Sequence, residues 1–239
     1  MKAMILAAGR GERMKPLTDK CPKPLLKVQG VALIEHHIKK LAQIGIKEVV
    51  INHAWLGEMI ERYLNDGSQW QINITYSPES PALETAGGII KALPLLGDKP
   101  FLLINSDVFT TFDFSDIPVL PDDKLAHLWL VENPEHNLSG DFYIDDGLLQ
   151  NKPIIFEAGQ KQKSYTYSGI AIFKPEFFQQ DSFQPQGTST IDKTSILPLA
   201  PMLRVAAEQR GITASVLPYA WTDVGTPERL AQLNSYQSS

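Results

Sequence analysis

The sequence predicts an α/β fold in which a mixed, mainly parallel sheet is flanked by helices. Three observations predict it. Through the first half of the chain, strand-like apolar segments alternate with segments of helical period. Several of those strands are continuously apolar, as strands covered on both faces are. The first of them runs into a turn with two glycines, Gly9 and Gly11, at the strand end where open α/β sheets bind ligands.

The elements follow in order. Ala3–Ala7 reads as the first strand. Leu33 to Ile44 carries apolar residues at 34, 38, 41 and 44, which is helical spacing. Glu48–Asn52 is a β-branched strand, Gly57–Leu64 a helix and Ile72–Tyr76 an alternating strand. Thr85–Leu93 is helical, and Phe101–Ile104 is a short apolar strand. In the second half, Leu125–Val131 is a strand. Asp141 to Ile144 and Leu148 to Gln150, joined by Asp146-Gly147, form a hairpin. Tyr167–Phe173 and Thr213–Leu217 are further strands. Ile196–Arg210 is helical, with Pro198 and Pro201 moving its start later. Pro227–Gln232 is a short helix capped by Thr226, and Gln179–Ser189, rich in Gln, Ser and Pro, is a mobile loop. There is no internal repeat and no clean linker. The expectation is a single domain over 1–239 with a sugar-facing part at about 125–195.

At 239 residues the chain can bury a sizeable core. Its net charge of −5 makes nucleic acid an unexpected partner, though backbone N–H groups and local cations can still bind a small phosphorylated ligand. The single cysteine, Cys21, excludes an intrachain disulfide and fits a reducing compartment. No apolar run is long enough to span a bilayer, and the N-terminus does not read as a signal peptide. The expectation is a cytoplasmic protein with no membrane contact and no obligate protein partner.

Chemistry concentrates in three places. The first is the glycine turn, followed by Arg13 and by Lys23 between Pro22 and Pro24. Glycine permits close backbone approach to phosphate, and two fixed cations can offset charge on a transferring phosphoryl group. The second is Asn105-Ser106-Asp107, directly after the apolar strand. The third is Trp221-Thr222-Asp223-Val224-Gly225-Thr226-Pro227, which offers a second carboxylate far downstream. Magnesium is commonly held by one or two carboxylates plus phosphate oxygens. Taken singly, each acid also reads as a turn or capping residue. His53 and Trp55 read as packing residues, the adjacent His36 and His37 make no metal site on a helix, and Cys21 is a bystander.

The pattern L-A-A-G-x-G-x-R-M-x-P-L-T, then P-K-P-L, then N-S-D and D-V-G-T, resembles the sugar-1-phosphate nucleotidyltransferases over nearly the whole chain. Several segments resemble the bacterial branch that uridylylates N-acetylmuramic acid α-1-phosphate. These are Ile51 to Gly57, Tyr76 to Glu79, Leu83 to Ile89, Lys91 to Asp98, and Asn133-Pro134 with Gly140-Asp141-Phe142. The chain departs from the usual pattern at Ser106, at Ala86 and at Ala158, which follows Glu157. The extra residues around Gln160–Lys163 and Gln179–Thr190 have no placed counterpart.

The resemblance implies a Rossmann-like nucleotide-diphospho-sugar transferase fold without a C-terminal β-helix. It implies UMP transfer from UTP to the sugar 1-phosphate, with release of pyrophosphate, in cell-wall precursor recycling. Asp107 and Asp223 would hold one or two Mg²⁺ ions beside catalytic Arg13 and Lys23. Ala8, Gly9, Gly11, Glu12, Arg13 and Lys23 would meet the triphosphate, and Glu84, Gly87 and Gly88 the base and ribose. Asn105, Gly140, Glu157, Ser168 and Gly169 would meet the sugar, with Gly140 leaving room for a bulky substituent and His136 and Asn137 bonding to it. Other pairs stay open: mannose 1-phosphate with GTP, or glucose 1-phosphate with UTP or dTTP. So does a nucleotide-sensing regulator on the same fold.

Overall fold

A computed structural model describes residues 1–154, 162–179 and 194–235. Its strands and helices, in chain order, are β1 (Lys2–Ala7), the short β2 (Lys27–Val28) and β3 (Val31–Ala32), α1 (Leu33–Gln43), β4 (Glu48–His53), α2 (Gly57–Leu64), β5 (Asn73–Pro78), α3 (Glu84–Leu96), β6 (Phe101–Asn105) and β7 (Val108–Thr110). Then follow β8 (Ala126–Val131), β9 (Tyr143–Asp145), β10 (Leu148–Gln150), β11 (Thr166–Phe173), α4 (Leu199–Glu208), β12 (Ile212–Val216), β13 (Trp221–Asp223) and α5 (Pro227–Ser235).

Nine of the strands form one sheet in the order β5-β4-β1-β6-β11-β8-β12-β10-β9. β5, β4, β1 and β6 run parallel. β11 is antiparallel to both β6 and β8, and β12 is parallel to β8. The sheet is therefore mixed and mainly parallel, as expected. The apolar side chains of β1 divide between its faces. Ala3 and Ile5 pack with Ile34, Ile38 and Leu41 of α1 and Ile60 and Leu64 of α2. Met4 packs on the other face with Ile89 and Ala92 of α3 and, further along the sheet, Met202 and Leu203 of α4.

This order creates the site. The chain runs from β1 outward to β4 and β5, then returns across α3 to place β6 on the other side of β1. Loops leaving the carboxyl ends of β1 and β6 diverge, and a crevice opens between them. The glycine turn follows β1, and Asn105-Ser106-Asp107 closes β6, so both border that crevice.

Some boundaries differ from expectation. α3 begins at Glu84 and continues through Pro94 to Leu96, because an apolar face including Ala92 and Leu96 stays buried past the proline. α4 starts at Leu199, since Pro198 is held extended. Asp141 is not in a hairpin strand: its N–H donates to Tyr165 O at 2.8 Å, so β9 begins at Tyr143. The hairpin turn has positive φ at both Asp146 and Gly147, as a type I′ turn requires. Two short ribbons, β2–β3 and β7–β13, were not anticipated. Most of the expected 179–189 loop lies outside the described residues, as does Glu157.

Candidate active site

A cavity of about 510 Å³ lies at the switch point, walled by the glycine turn, Asn105 to Asp107, the first residues of α3 and Gly225. The turn is tight because Gly11 adopts φ +69 and its carbonyl accepts from Met14 N–H at 2.9 Å and Thr18 Oγ1 at 2.8 Å. A Cβ on Gly11 would fall 2.9 Å from Thr18 Cγ2, whereas one on Gly9 would meet nothing within 4 Å. Gly9 is thus the open face of the turn and Gly11 its packed face. Arg13 is exposed and lines the cavity. Glu12 is engaged by Lys15 at 2.6 Å, and that hydrogen bond holds its carboxyl below the ordinary range.

Lys23 begins a 3-10 turn between Pro22 and Pro24, and its Nζ reaches Asp107 Oδ2 at 2.5 Å. Asp107 and Asp223 are brought together by the β7–β13 ribbon. Asp223 pairs with Val108, and Val224 N–H donates to Asp107 O at 2.8 Å. Asp223 is itself held by Arg229 of α5 and lies 3.1 Å from His136 Nε2. Each acid therefore carries a cationic partner. Asp107 lines the cavity, while Asp223 is not among its lining residues although Gly225, two residues on, is. Two carboxylates on adjacent backbones are a donor set that suits Mg²⁺. Among the described residues no group of three or more His, Cys, Asp or Glu could hold a metal without a ligand's help.

The ribbon is fastened from behind by α1. His37 Nε2 lies 2.8 Å from Val108 O, and Lys40 donates to the carbonyls of Thr110 and Phe112. Burial, then the nearby Lys40 charge, pushes His37 down to about 3, so it stays neutral. Its Nε2 accordingly serves as an N–H donor to the carbonyl.

The expected sugar residues divide. Asn105 borders the cavity. β11 has a bulge between Tyr167 and Ile170, and Gly169 there, at φ +77, lies against Asn105, so that a Cβ would come 2.7 Å from its Nδ2. Ser168 is fully buried and donates to Trp129 O at 2.6 Å, which is a framework bond. Gly140 does not leave open space: a Cβ would meet Asn133 Oδ1 at 2.7 Å and Ser164 Cβ at 2.9 Å. Asn137 is bonded to Asp141 and Thr166.

The nucleotide side divides too. Glu84 and Thr85 line the cavity, and Glu84 stands at φ +64. Gly87 N–H and Ala86 N–H instead donate to Leu197 O, and a Cβ on Gly87 would fall 2.2 Å from Ser195 O. Gly88 faces Asn52 and Glu79. These two glycines allow close packing behind the wall rather than forming it. Trp55 and Arg10 form a clip: the guanidinium sits 3.7 Å over the indole, and both donate to Thr18 O. His53 is buried and bonded to Glu61 at 2.7 Å. Cys21 is half-buried, which pushes its thiol up.

Sequence reading missed Arg229 and Asn52, and it gave His136 a place at the sugar rather than beside Asp223. Arg229 sits six residues past Asp223 on a helix with no fully buried residue, and only the fold carries His136 to it. Asn52 ends an apolar strand and gives no signal of its own.

A model of the nucleotidyl transferase family matches residues 2–238. The chain is 48% identical over 237 residues to an N-acetylmuramate alpha-1-phosphate uridylyltransferase of Neisseria meningitidis, covering 97% of this chain and 96% of that one. It is 32% identical to a mannose-1-phosphate guanylyltransferase catalytic subunit beta of Dictyostelium discoideum, covering 95% of this chain and 62% of that longer protein. The fold matches HddC of Yersinia pseudotuberculosis complexed with GMP-PN, at TM-score 0.69 and 19% identity, with 99% of each chain covered. With its switch-point crevice, its glycine turn and this match along nearly its whole length, the chain belongs to the nucleotidyl transferase family.

Proposed function

We propose that the protein transfers UMP from UTP to N-acetylmuramic acid α-1-phosphate, giving UDP-N-acetylmuramic acid and pyrophosphate. The observation that carries this is the 48% identity to the Neisseria meningitidis enzyme across nearly the full length of both chains. The whole chain, 1–239, acts as one nucleotidyltransferase unit with its sugar-facing part at about 125–195. It works as a monomer in the cytoplasm, in cell-wall recycling.

In the reaction a phosphate oxygen of the sugar 1-phosphate bonds to the α-phosphorus, and the bond from that phosphorus to the β-phosphate bridge breaks. The nucleophile is already an anion, so no general base is needed. The barrier is repulsion between anions plus alignment. Arg13 and Lys23 offset charge at the α-phosphate, while the open face of Gly9 admits the triphosphate close to backbone N–H groups. Asp107 and Asp223 would hold the metal, which when bound neutralises phosphate charge and orients the oxygens. Lys23 then exchanges Asp107 for phosphate. Asn105, seated against Gly169, bonds the sugar. Arg229, with the His136 ring beside it at the Asp223 edge, suits a substrate that carries a carboxylate beyond its phosphate.

The test is catalytic efficiency by pyrophosphate release, with N-acetylmuramic acid 1-phosphate and N-acetylglucosamine 1-phosphate each paired with UTP, and mannose 1-phosphate with GTP. A pocket built to hold the lactyl carboxylate should reject the sugar that leaves it empty, and the muramic pair should lead. A lead for either other pair would overturn the assignment.

A further inference from the structure

At the cavity wall, which Ala7 and Asn52 help to line, four groups form a chain of hydrogen bonds with a fixed direction. Ala7 N–H donates to Asn52 Oδ1 at 3.0 Å. Asn52 Nδ2 donates to Glu79 Oε1 at 2.7 Å, and Leu83 N–H donates to Glu79 Oε2 at 2.8 Å. Asn52 is 2% exposed and Glu79 6%. The ends of this chain are the last residue of β1, one step before Ala8 and the glycine turn, and the residue before Glu84. The two cavity walls are thereby tied together through the ends of β4 and β5. α3 lies directly over the pair: a Cβ on Gly88 would fall 2.5 Å from Glu79 Oε1 and 2.7 Å from Asn52 Nδ2.

We propose that Asn52 and Glu79 are a positioning pair that sets the separation of the glycine turn and the Glu84 wall, and so the grip on the nucleotide. This rests on the nucleotidyltransferase reading of the cavity. Both ends of the chain are backbone N–H groups, which can only donate. The two side chains must therefore each present an acceptor outward and share one donor between them. Asn with Glu meets that demand. Asn with Gln sets two NH₂ groups face to face, and Asp with Glu sets two carboxylates face to face. Asp at 52 with Gln at 79 meets it again, with the central donor reversed and the same total charge. A buried polar group left without its partner is costly, so the four combinations separate sharply.

The experiment is steady-state kinetics and thermal unfolding on the wild type, Glu79→Gln, Asn52→Asp and the double variant. Each single change should raise the KM for UTP about tenfold with turnover reduced less, as a lost buried bond of about 1.4 kcal/mol would do. The double variant should return to within about twofold of wild type. A double variant no better than the worse single overturns the proposal, and so do single variants that lower the melting temperature without moving the nucleotide KM. If the single variants fail to fold, the double variant must fold and bind UTP as wild type does, or the pairing is wrong. If the wild type turns over a different nucleotide and sugar phosphate, the substrate assignment falls. The same four proteins then test the pair with the nucleotide that is used.

Discussion

Lys23 holds Asp107 at 2.5 Å with its side chain largely buried, while Arg13 stands exposed at the rim. A fixed cation matters most where charge builds, and removing one well-placed electrostatic donor typically costs about 3–4 kcal/mol in the transition state. Lys23→Ala and Arg13→Ala should therefore lower turnover by about two orders of magnitude or more, with a smaller effect on the nucleotide KM. A change confined to KM would make them ground-state binders instead. Removing Lys23 has a further consequence, because it takes away the side chain that holds Asp107 Oδ2. The Lys23→Ala protein should for that reason show a steeper Mg²⁺ dependence of UTP binding than wild type.

At the scale of elements, the β7–β13 ribbon does the work of assembly. It sets Asp223 against Val108 and ties Val224 to Asp107, while His37 and Lys40 hold it to α1. Asp107→Asn and Asp223→Asn should each cut turnover about a hundredfold or more while leaving the circular dichroism spectrum unchanged. Full turnover of either variant at saturating Mg²⁺ would remove the metal role. This ribbon is also where reading from sequence ran out. β1, β4 and β6 announce themselves as apolar runs because both their faces are covered. Trp221-Thr222-Asp223 is three half-buried residues whose partner strand lies far earlier in the chain, and no local period encodes such a pairing. Both acids were nonetheless readable, since each closes a recognisable motif. Arg229, whose role depends on where α5 docks, was not. Ser168 and Gly87 stood in readable motifs but serve packing, and only burial distinguishes those uses.

The whole molecule stores a pH dependence away from the cavity. His127, buried on β8, lies 2.9 Å from Thr213 Oγ1 and 3.0 Å from Ser215 Oγ on β12. Burial pushes it down from 6.5 to about 4. The unfolded chain therefore binds a proton more readily than the native one between those values, so stability falls as pH falls through that window. Between pH 7.5 and 5.5 this histidine should account for about 1.3 kcal/mol of lost unfolding free energy. Urea unfolding at the two pH values should show the wild-type loss, and His127→Gln should lose less by about that amount. An equal loss in both proteins would mean that His127 titrates normally.

The order of the parts along the chain divides the sheet from the site. All nine strands of the large sheet lie at or before Val216, together with the glycine turn, Lys23 and Asp107. Asp223 arrives only afterwards, on β13, with Val224 closing a small apolar cluster around Met14, Leu26 and Leu33. A chain cut after Val216 would thus keep every strand of that sheet while lacking the second carboxylate. Building the sheet and supplying its second acid are therefore separable along the chain, and a truncation at that point would part the two.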